Sequence, residues 1–576
     1  MIRALSLCLF ALAALPAQAQ VPFEEALHNV GNVGLTMTNA GFIGRSNVRN
    51  SPTGAPSFEY PLNSGVEHLF EAGLWIGAVQ RSTGRLTVRS GAISSSGGYR
   101  AGAGGYEMNP IAPFTRRSSL PQSPFFFPGA TSHEDLTTAY ADTFRLVPGT
   151  QTPVADFGER LGLKVEQKSY AYSFPFAETF VIVTFDITNV SESALDSIYV
   201  GLYHDLVVRN VNTTTDAGSA FFNKGGLGYL DSLYTSYAFN AGGAEPTINT
   251  YGAITYLGGT YTDAQTGNEL FVIPSNRDRF EAAGLPAPGV TPRWWLFSGA
   301  TDPDLSRPQD DLDRYTRMAT PFPDSTGFPT QQAYRDALAN WYTTLREGGR
   351  TGQGNWLGMT AVGPYRSLEP GQSLTATFAF VAARKPDGLQ NDAGKPVDTE
   401  QSRTLLVDNI GWARRTFGGE DRNYNGELDA GEDVNGNGVL DRFLIPEPPN
   451  APNVRVELDA GQVTVYWDRS AEASRDPVTG ELDFEGYSIY RSVLGADRTG
   501  DPLGDAILAA TFDKPGNTSG FNTGFDAVAL PTPRTFEGDT TQYAYAYTFD
   551  GLNSGWQYGV SVTAFDSGDE RVGLPQ

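Results

Sequence analysis

Residues 421 to 441, DRNYNGELDAGEDVNGNGVLD, hold the most chemically specific spacing in the chain. Asp421, Asn423 and Asn425 alternate, Gly426 follows, and Asp429 and Glu432 complete the D-x-[DN]-x-[DN]-G-x5-E pattern of a twelve-residue calcium loop. A hard divalent cation takes about six to eight oxygens, and alternate side chains on a tightly curved loop can point at one centre. Gly426 permits the sharp turn because it lacks a Cβ. Glu427 offers its backbone carbonyl, Asp429 binds directly or through water, and Glu432 supplies two oxygens at once. Asp433, Asn435, Asn437, Gly438 and Asp441 repeat the register, with Val439 at the carbonyl position. Leu444 stands where the second closing carboxylate belongs. A weaker second site is therefore expected, or one completed by carboxylates from elsewhere. The competing reading is an Asn/Gly/Asp-rich solvated turn that binds nothing. Ca²⁺ is the expected cofactor.

The flanks qualify this chemistry. Leu405, Leu406, Ile410, Trp412, Ala413 and Phe417 recur near helical spacing, so a helix over 399–417 is predicted to enter the first loop. FLIPEPPNAP follows the second loop, and its prolines forbid an exiting helix. The back-to-back loops thus differ from a sensor pair and resemble dockerin or thrombospondin-type calcium repeats. That resemblance implies a joint stiffened by calcium, for which affinities of about 10⁻⁴ to 10⁻³ M suffice outside cells.

Residues 1–19 read as a secretory signal peptide. Arg3 begins it, LSLCLFALAAL is its apolar stretch, and Ala17-Gln18-Ala19 is its cleavage motif. The apolar run is too short for a membrane anchor, and no later segment approaches spanning length. A secreted, extracellular or cell-surface location follows. Cys8, the only cysteine, leaves with the signal, which excludes disulfides, thiolate metal sites and a cysteine nucleophile. Calcium is the natural alternative staple. A net charge of −24 argues against nucleic acid as a partner and suits cation binding. Only six of the 41 basic residues are lysine, so a saline habitat explains the acidity equally well.

Thr, Tyr, Val and Phe alternate in short runs broken by Gly, Pro, Asn and Asp, which predicts a mainly all-β chain of several sandwiches. The expected order is an N-terminal β region over 20–150, then a β-sandwich over 151–390. A helix-plus-loop connector over 391–445 and an immunoglobulin-like sandwich over 446–576 complete it. HLFEAGLWIGAVQ and GRLTVRSGAI pair as strands around 81–84, and FVIVTFDITNVS and LDSIYVGLYHDL are joined by a polar turn at 189–193. A helical insert is predicted over 330–346, where Tyr334, Ala337, Leu338, Trp341 and Leu345 share a face.

VTVYWD, FEGYSIYRS and GLNSGWQYGVSVTAFD resemble a fibronectin type III module over roughly the last 125 residues. The resemblance makes Trp467 its core tryptophan and Tyr558 its corner tyrosine. With GLWIG, FDITNVS and the paired loops, the whole chain resembles uncharacterised secreted multidomain proteins of Bacteroidetes-like bacteria. Many of those end in a sorting domain. Here RVGLPQ stands within ten residues of Asp566, short for a last fibronectin strand. A truncated chain, a short strand or a strand donated by a partner each fit that length.

No catalytic motif is found. His28, His68, His133 and His204 form no metal spacing, and no GxSxG elbow is present. His204-Asp205 reads as a polar strand end. Asp302, Asp304, Asp310, Asp311 and Asp313 read as a solvated loop, with calcium binding or glycoside hydrolysis as alternatives. Trp294 and Trp295 read as core, with sugar stacking as the alternative. The expected function is a calcium-binding structural or adhesion protein of the cell surface or matrix. The alternatives are a carbohydrate-binding or carbohydrate-active protein and a subunit of an extracellular polymer. The partner is an extracellular protein or glycan, with homo-assembly possible in principle.

Overall fold

A computed structural model describes residues 21–44, 55–92, 107–142, 160–213, 225–240, 248–273, 276–297, 305–320, 329–330, 333, 355–390, 398–495, 506–517 and 520–568. The signal segment 1–19 and nearly all of the helical insert over 330–346 lie outside the described residues. Strand makes up 46% and helix 10%, so the chain is all-β with several antiparallel sheets. It divides into two compact units, Met1–Arg414 and Arg415–Gln576.

The first unit contains β1 (Glu25–His28), β2 (Gly34–Thr38), β3 (Phe42–Ile43), β4 (Phe58–Glu59), β5 (Val66–Gln80), β6 (Leu86–Ser90), β7 (Asn109–Arg117), β8 (Glu134–Ala141), β9 (Leu163–Ala171) and β10 (Phe180–Asn189). It continues with β11 (Leu195–Asn210), β12 (Gly225–Leu230), β13 (Thr235–Asn240), β14 (Thr250–Gly258), β15 (Thr260–Thr262), β16 (Glu269–Phe271), helix α1 (Arg277–Ala282), β17 (Gly289–Leu296), α2 (Asp311–Ala319), β18 (Trp356–Leu368) and β19 (Ser373–Arg384). Helix α3 (Thr404–Gly418) begins in this unit and ends in the second.

Two large sheets form the unit. One has nine strands, seven of them along the path β1-β2-β3-β5-β11-β18-β17, and the other has ten, eight of them along β12-β13-β14-β19-β10-β9-β8-β7. The expected division at residue 150 is not seen, because β5 pairs with β11 and β8 pairs with β9 across it. The period-two alternation in β9 works as predicted, with Leu163 and Val165 buried and Lys164 exposed. Each buried aliphatic or aromatic side chain contributes about 1.5–3 kcal/mol to the core between the sheets. The consecutive strands β10 and β11 do not pair with each other; each joins a different sheet. Their turn is tied by Asn189, whose Nδ2 donates to Ser193 O (2.9 Å) and Leu368 O (2.8 Å).

The nine-stranded sheet is also covered on its outer face. There Trp75, Tyr203 and Trp295 stack, with centroids 5.8 Å and 6.1 Å apart along the row. Helix α2 lies over them: Met318 is buried, and the Arg317 guanidinium sits 5.5 Å from the Trp295 ring. No helix among the described residues is long and apolar enough to cross a membrane.

The second unit holds β20 (Val454–Asp459), β21 (Gln462–Trp467), β22 (Phe484–Gly495), β23 (Ile507–Asp513), β24 (Ala529–Arg534), β25 (Tyr543–Phe549) and β26 (Gln557–Asp566). They form a four-stranded sheet, β20-β21-β25-β24, and a three-stranded sheet, β23-β22-β26. Trp467 is fully buried in their core, 5.7 Å from the Tyr487 ring and 5.6 Å from Tyr545. The Tyr558 hydroxyl accepts from the Asn553 N–H at 2.9 Å, reaching back along its own chain.

Candidate functional site

Between α3 and β20, residues 420–441 fold into two loops that repeat the same side-chain hydrogen bonds. In the first, the Asp421 carboxylate accepts from the N–H groups of Asn425 (2.8 Å) and Gly426 (2.7 Å). In the second, Asp433 accepts from Asn437 and Gly438, both at 3.0 Å. Position four is left-handed in each, at Tyr424 (φ 61°) and Gly436 (φ 72°), and so is position six, at Gly426 (φ 84°) and Gly438 (φ 72°). Such angles bend each loop so that positions three, five and nine converge. Asn423 Nδ2 and Asn425 Nδ2 both donate to Asp429 Oδ2 at 2.7 Å. Asn435 (2.6 Å) and Asn437 (2.8 Å) donate to Asp441 Oδ2 in the same way.

The closing carboxylates carry the main surprise. Glu432, at position twelve of the first loop, accepts from the N–H of Arg422 (3.0 Å) and of Asp429 (2.9 Å), positions two and nine. The second loop has Leu444 at its twelfth position, yet its positions two and nine are held identically. Glu420 accepts there from the N–H of Val434 (2.9 Å) and of Asp441 (3.0 Å). Glu420 therefore takes the place that Leu444 leaves empty of oxygen, and it does so from the residue preceding the first loop. The spacing calls for a carboxylate from elsewhere without identifying it. The available signal is the repeat GEDRNYNGELDA followed by GEDVNGNGVLDR, in which Glu420 and Glu432 are equivalent.

The stems are pressed together at Gly419. Its φ is 60°, and an added Cβ would stand 2.2 Å from the Asp441 carbonyl oxygen, so only glycine fits. The Glu420 N–H donates to that same carbonyl at 3.0 Å. Phe417 at the end of α3 packs on Tyr424 (6.3 Å) and Phe443 (5.5 Å), and Arg442 pairs with Asp421 at 3.5 Å. Within the same unit, Arg422 Nη2 donates to Val478 O at 3.2 Å, and the Glu447 N–H donates to Asp476 at 3.3 Å.

The donor set fits a hard cation. Each loop offers carboxylate, amide and backbone oxygens and no nitrogen or sulfur ligand. Glu420 and Glu432 spend one lone pair per oxygen on backbone N–H groups, which leaves others for a metal. A half turn of each asparagine amide exchanges Nδ2 for Oδ1 at the point of convergence. Among the described residues no three His, Cys, Asp or Glu side chains gather at one point, so a site here depends on the asparagines and on carbonyls. Glu427 and Val439 occupy the carbonyl positions with their side chains exposed.

The other candidates resolve into structural roles. His204 is wholly buried, and desolvation pushes its imidazole down to about 3. Adjacent strand residues face opposite ways, so Asp205 turns from His204 and sits opposite Glu71 on β5. Burial raises both of those carboxyls, and each is best kept neutral. Asp310 caps α2 by accepting from the Asp313 N–H (2.9 Å); Asp311 pairs with Arg314 and Asp313 with Arg317. Asp302 and Asp304 lie outside the described residues. Trp294 and Trp295 are 1% and 0% exposed, so neither offers a face to a sugar ring.

No family model matches the chain, and no curated protein does. Among solved structures 38 chains match. One is a polysaccharide lyase, 7% identical, with 94% of this chain and 45% of that chain covered at a TM-score of 0.22. The chain spans less than half the length of that structure, and a likeness at this level carries no argument.

Proposed function

We propose that this chain is an exported structural or adhesion protein whose tandem loops bind calcium. The observation that carries this reading is the reciprocal closure of two twelve-residue loops by Glu432 and Glu420. Nothing about a solvated turn requires the same nine-position scaffold twice, with a glutamate recruited to complete the copy that lacks one. Without metal, backbone N–H donors and asparagine amides offset the repulsion among the carboxylates. With metal, the converging oxygens bind one ion per loop, and the stem from α3 to β20 becomes harder to open. At about 10 mM calcium and affinities of about 10⁻⁴ to 10⁻³ M, each occupied loop adds about 1.4–2.7 kcal/mol of stability.

The seven-stranded sandwich after the loops supports a fibronectin type III-like module, through buried Trp467 and the Tyr558 hydroxyl bonded to its upstream backbone. With the signal-like leader, this is the assembly expected of a secreted multidomain protein of the Bacteroidetes-like kind. Calorimetric titration of calcium into the full chain, with thermal melting and limited proteolysis alongside, tests the reading. Two ions should bind, the second unit should melt higher, and chelation should expose a cleavage site near residue 430. Absence of binding together with unchanged cleavage would sink it.

A further inference from the structure

The first unit buries two carboxyl groups that no other side chain satisfies. Asp205 of β11 stands directly opposite Glu71 of β5. Directly opposed residues share a face of the sheet, with Cβ atoms about 4.5–5.5 Å apart. That face is the outer one, because Tyr203 and Trp75, on the same side of the same two strands, belong to the aromatic row beneath α2. Glu71 is 1% exposed and Asp205 4%. Both Glu71 oxygens and Asp205 Oδ1 are buried without a hydrogen-bond donor. Burial raises Asp205, burial and the Asp205 charge raise Glu71, and no basic side chain among the described residues offsets either.

Other buried carboxylates of this unit are satisfied by the chain. Glu67 accepts from the Phe58 N–H (2.8 Å), Glu107 from the Ser90 N–H (2.9 Å) and Asp142 from the Leu161 N–H (2.7 Å). The ladder is also broken beside the unsatisfied pair. Asp205 faces Glu71 but Leu206 faces Leu69, so Phe70 is passed over. Such a bulge re-aims side chains and is common next to functional sites. Buried charges are paired or coordinate metals. Two opposed carboxylates, offering oxygen alone, match one hard divalent cation in both charge and donor chemistry.

We propose that Glu71 and Asp205 together bind one hard divalent cation, such as calcium, occluded between β5 and β11 under the outer layer. The ion neutralises both carboxylates, and backbone carbonyls and trapped water complete its oxygen shell. It staples the two longest strands of the nine-stranded sheet. Because both ligands are buried, the ion is locked in as the unit folds, and a titration of the folded chain does not count it. The site shares no residue with the tandem loops and stands whether or not they bind.

The test purifies the full chain in millimolar calcium, dialyses it exhaustively against chelator, and reads its metal content by atomic emission. One calcium ion per chain should remain, since exposed loops with affinities of about 10⁻⁴ to 10⁻³ M are emptied. Glu71→Gln and Asp205→Asn should each lose that ion. Each amide keeps the shape of the carboxyl and removes its charge, so both variants should fold, with circular dichroism as the check. Glu420→Gln combined with Glu432→Gln should keep the ion. Three outcomes overturn the proposal. One is a dialysed chain without calcium, which assigns the pair to protons alone. Another is an ion retained by both folded amide variants, which places it elsewhere. The last is an ion lost from the Glu420→Gln and Glu432→Gln double variant, which assigns it to the loops.

Discussion

The first loop is closed by a glutamate at its own twelfth position, and the second by a glutamate one residue ahead of the first. Everything else about them is nearly superimposable: the carboxylate at position one, the left-handed residues at four and six, and the amide-to-carboxylate bonds at three, five and nine. They differ again in burial, since Asp421 is buried and its counterpart Asp433 is half-buried. The lesson concerns what a loop is. The first meets the motif within itself, whereas the second is complete only while the first stands folded beside it. Tandem loops of this kind are one cooperative object, and the order of ligands in space is not their order along the chain.

The harshest way to break the comparison is Gly419→Ala. A Cβ 2.2 Å from the Asp441 carbonyl forces the stems apart, so both loops should fail together. Calorimetry should then show neither binding step, while the melting of the first unit is unchanged. Single closures come next. Glu432→Gln should weaken one step and Glu420→Gln the other, each by about 10- to 100-fold. If Glu420→Gln leaves two ions bound with native affinity, the reciprocal closure is wrong. Adding Leu444→Glu to that variant should not restore the site, because Phe443 is left-handed (φ 62°) and packs on Phe417, turning the chain away before position twelve. The smallest effect is expected from Glu427→Ala. Its side chain is exposed and only its carbonyl faces the loop centre, so affinity should stay within about twofold. A larger loss would mean that position seven contributes its carboxylate.

Much of this was readable from the residues. The positions that converge in each loop, the entering helix and the strands of both units follow from spacing, alternation and turn chemistry. Glu420 did not, because a motif read forward from each aspartate stops at the twelfth residue and never looks back. The division at 150 did not, because pairing β5 with β11 and β8 with β9 is a long-range choice made by complementary faces, not by local propensity. The turn at Asn189 is a similar case. Its polar residues announce a reversal, but nothing local says that the chain changes sheets there. Hydrophobicity alone places Trp294 and Trp295 in the core; that they serve two separate layers needs the fold.

That last arrangement gives the first unit a built-in pair of optical probes. Trp294 emits from between the sheets and Trp295, its neighbour, from beneath α2. Lifting the helix would let a dissolved quencher reach Trp295 and Trp75 while Trp294 stayed dark to it. Loss of the inner layer would reach all three. In a variant whose five tryptophans other than Trp75, Trp294 and Trp295 are phenylalanine, two adjacent indoles thus separate peeling of the surface from collapse of the interior.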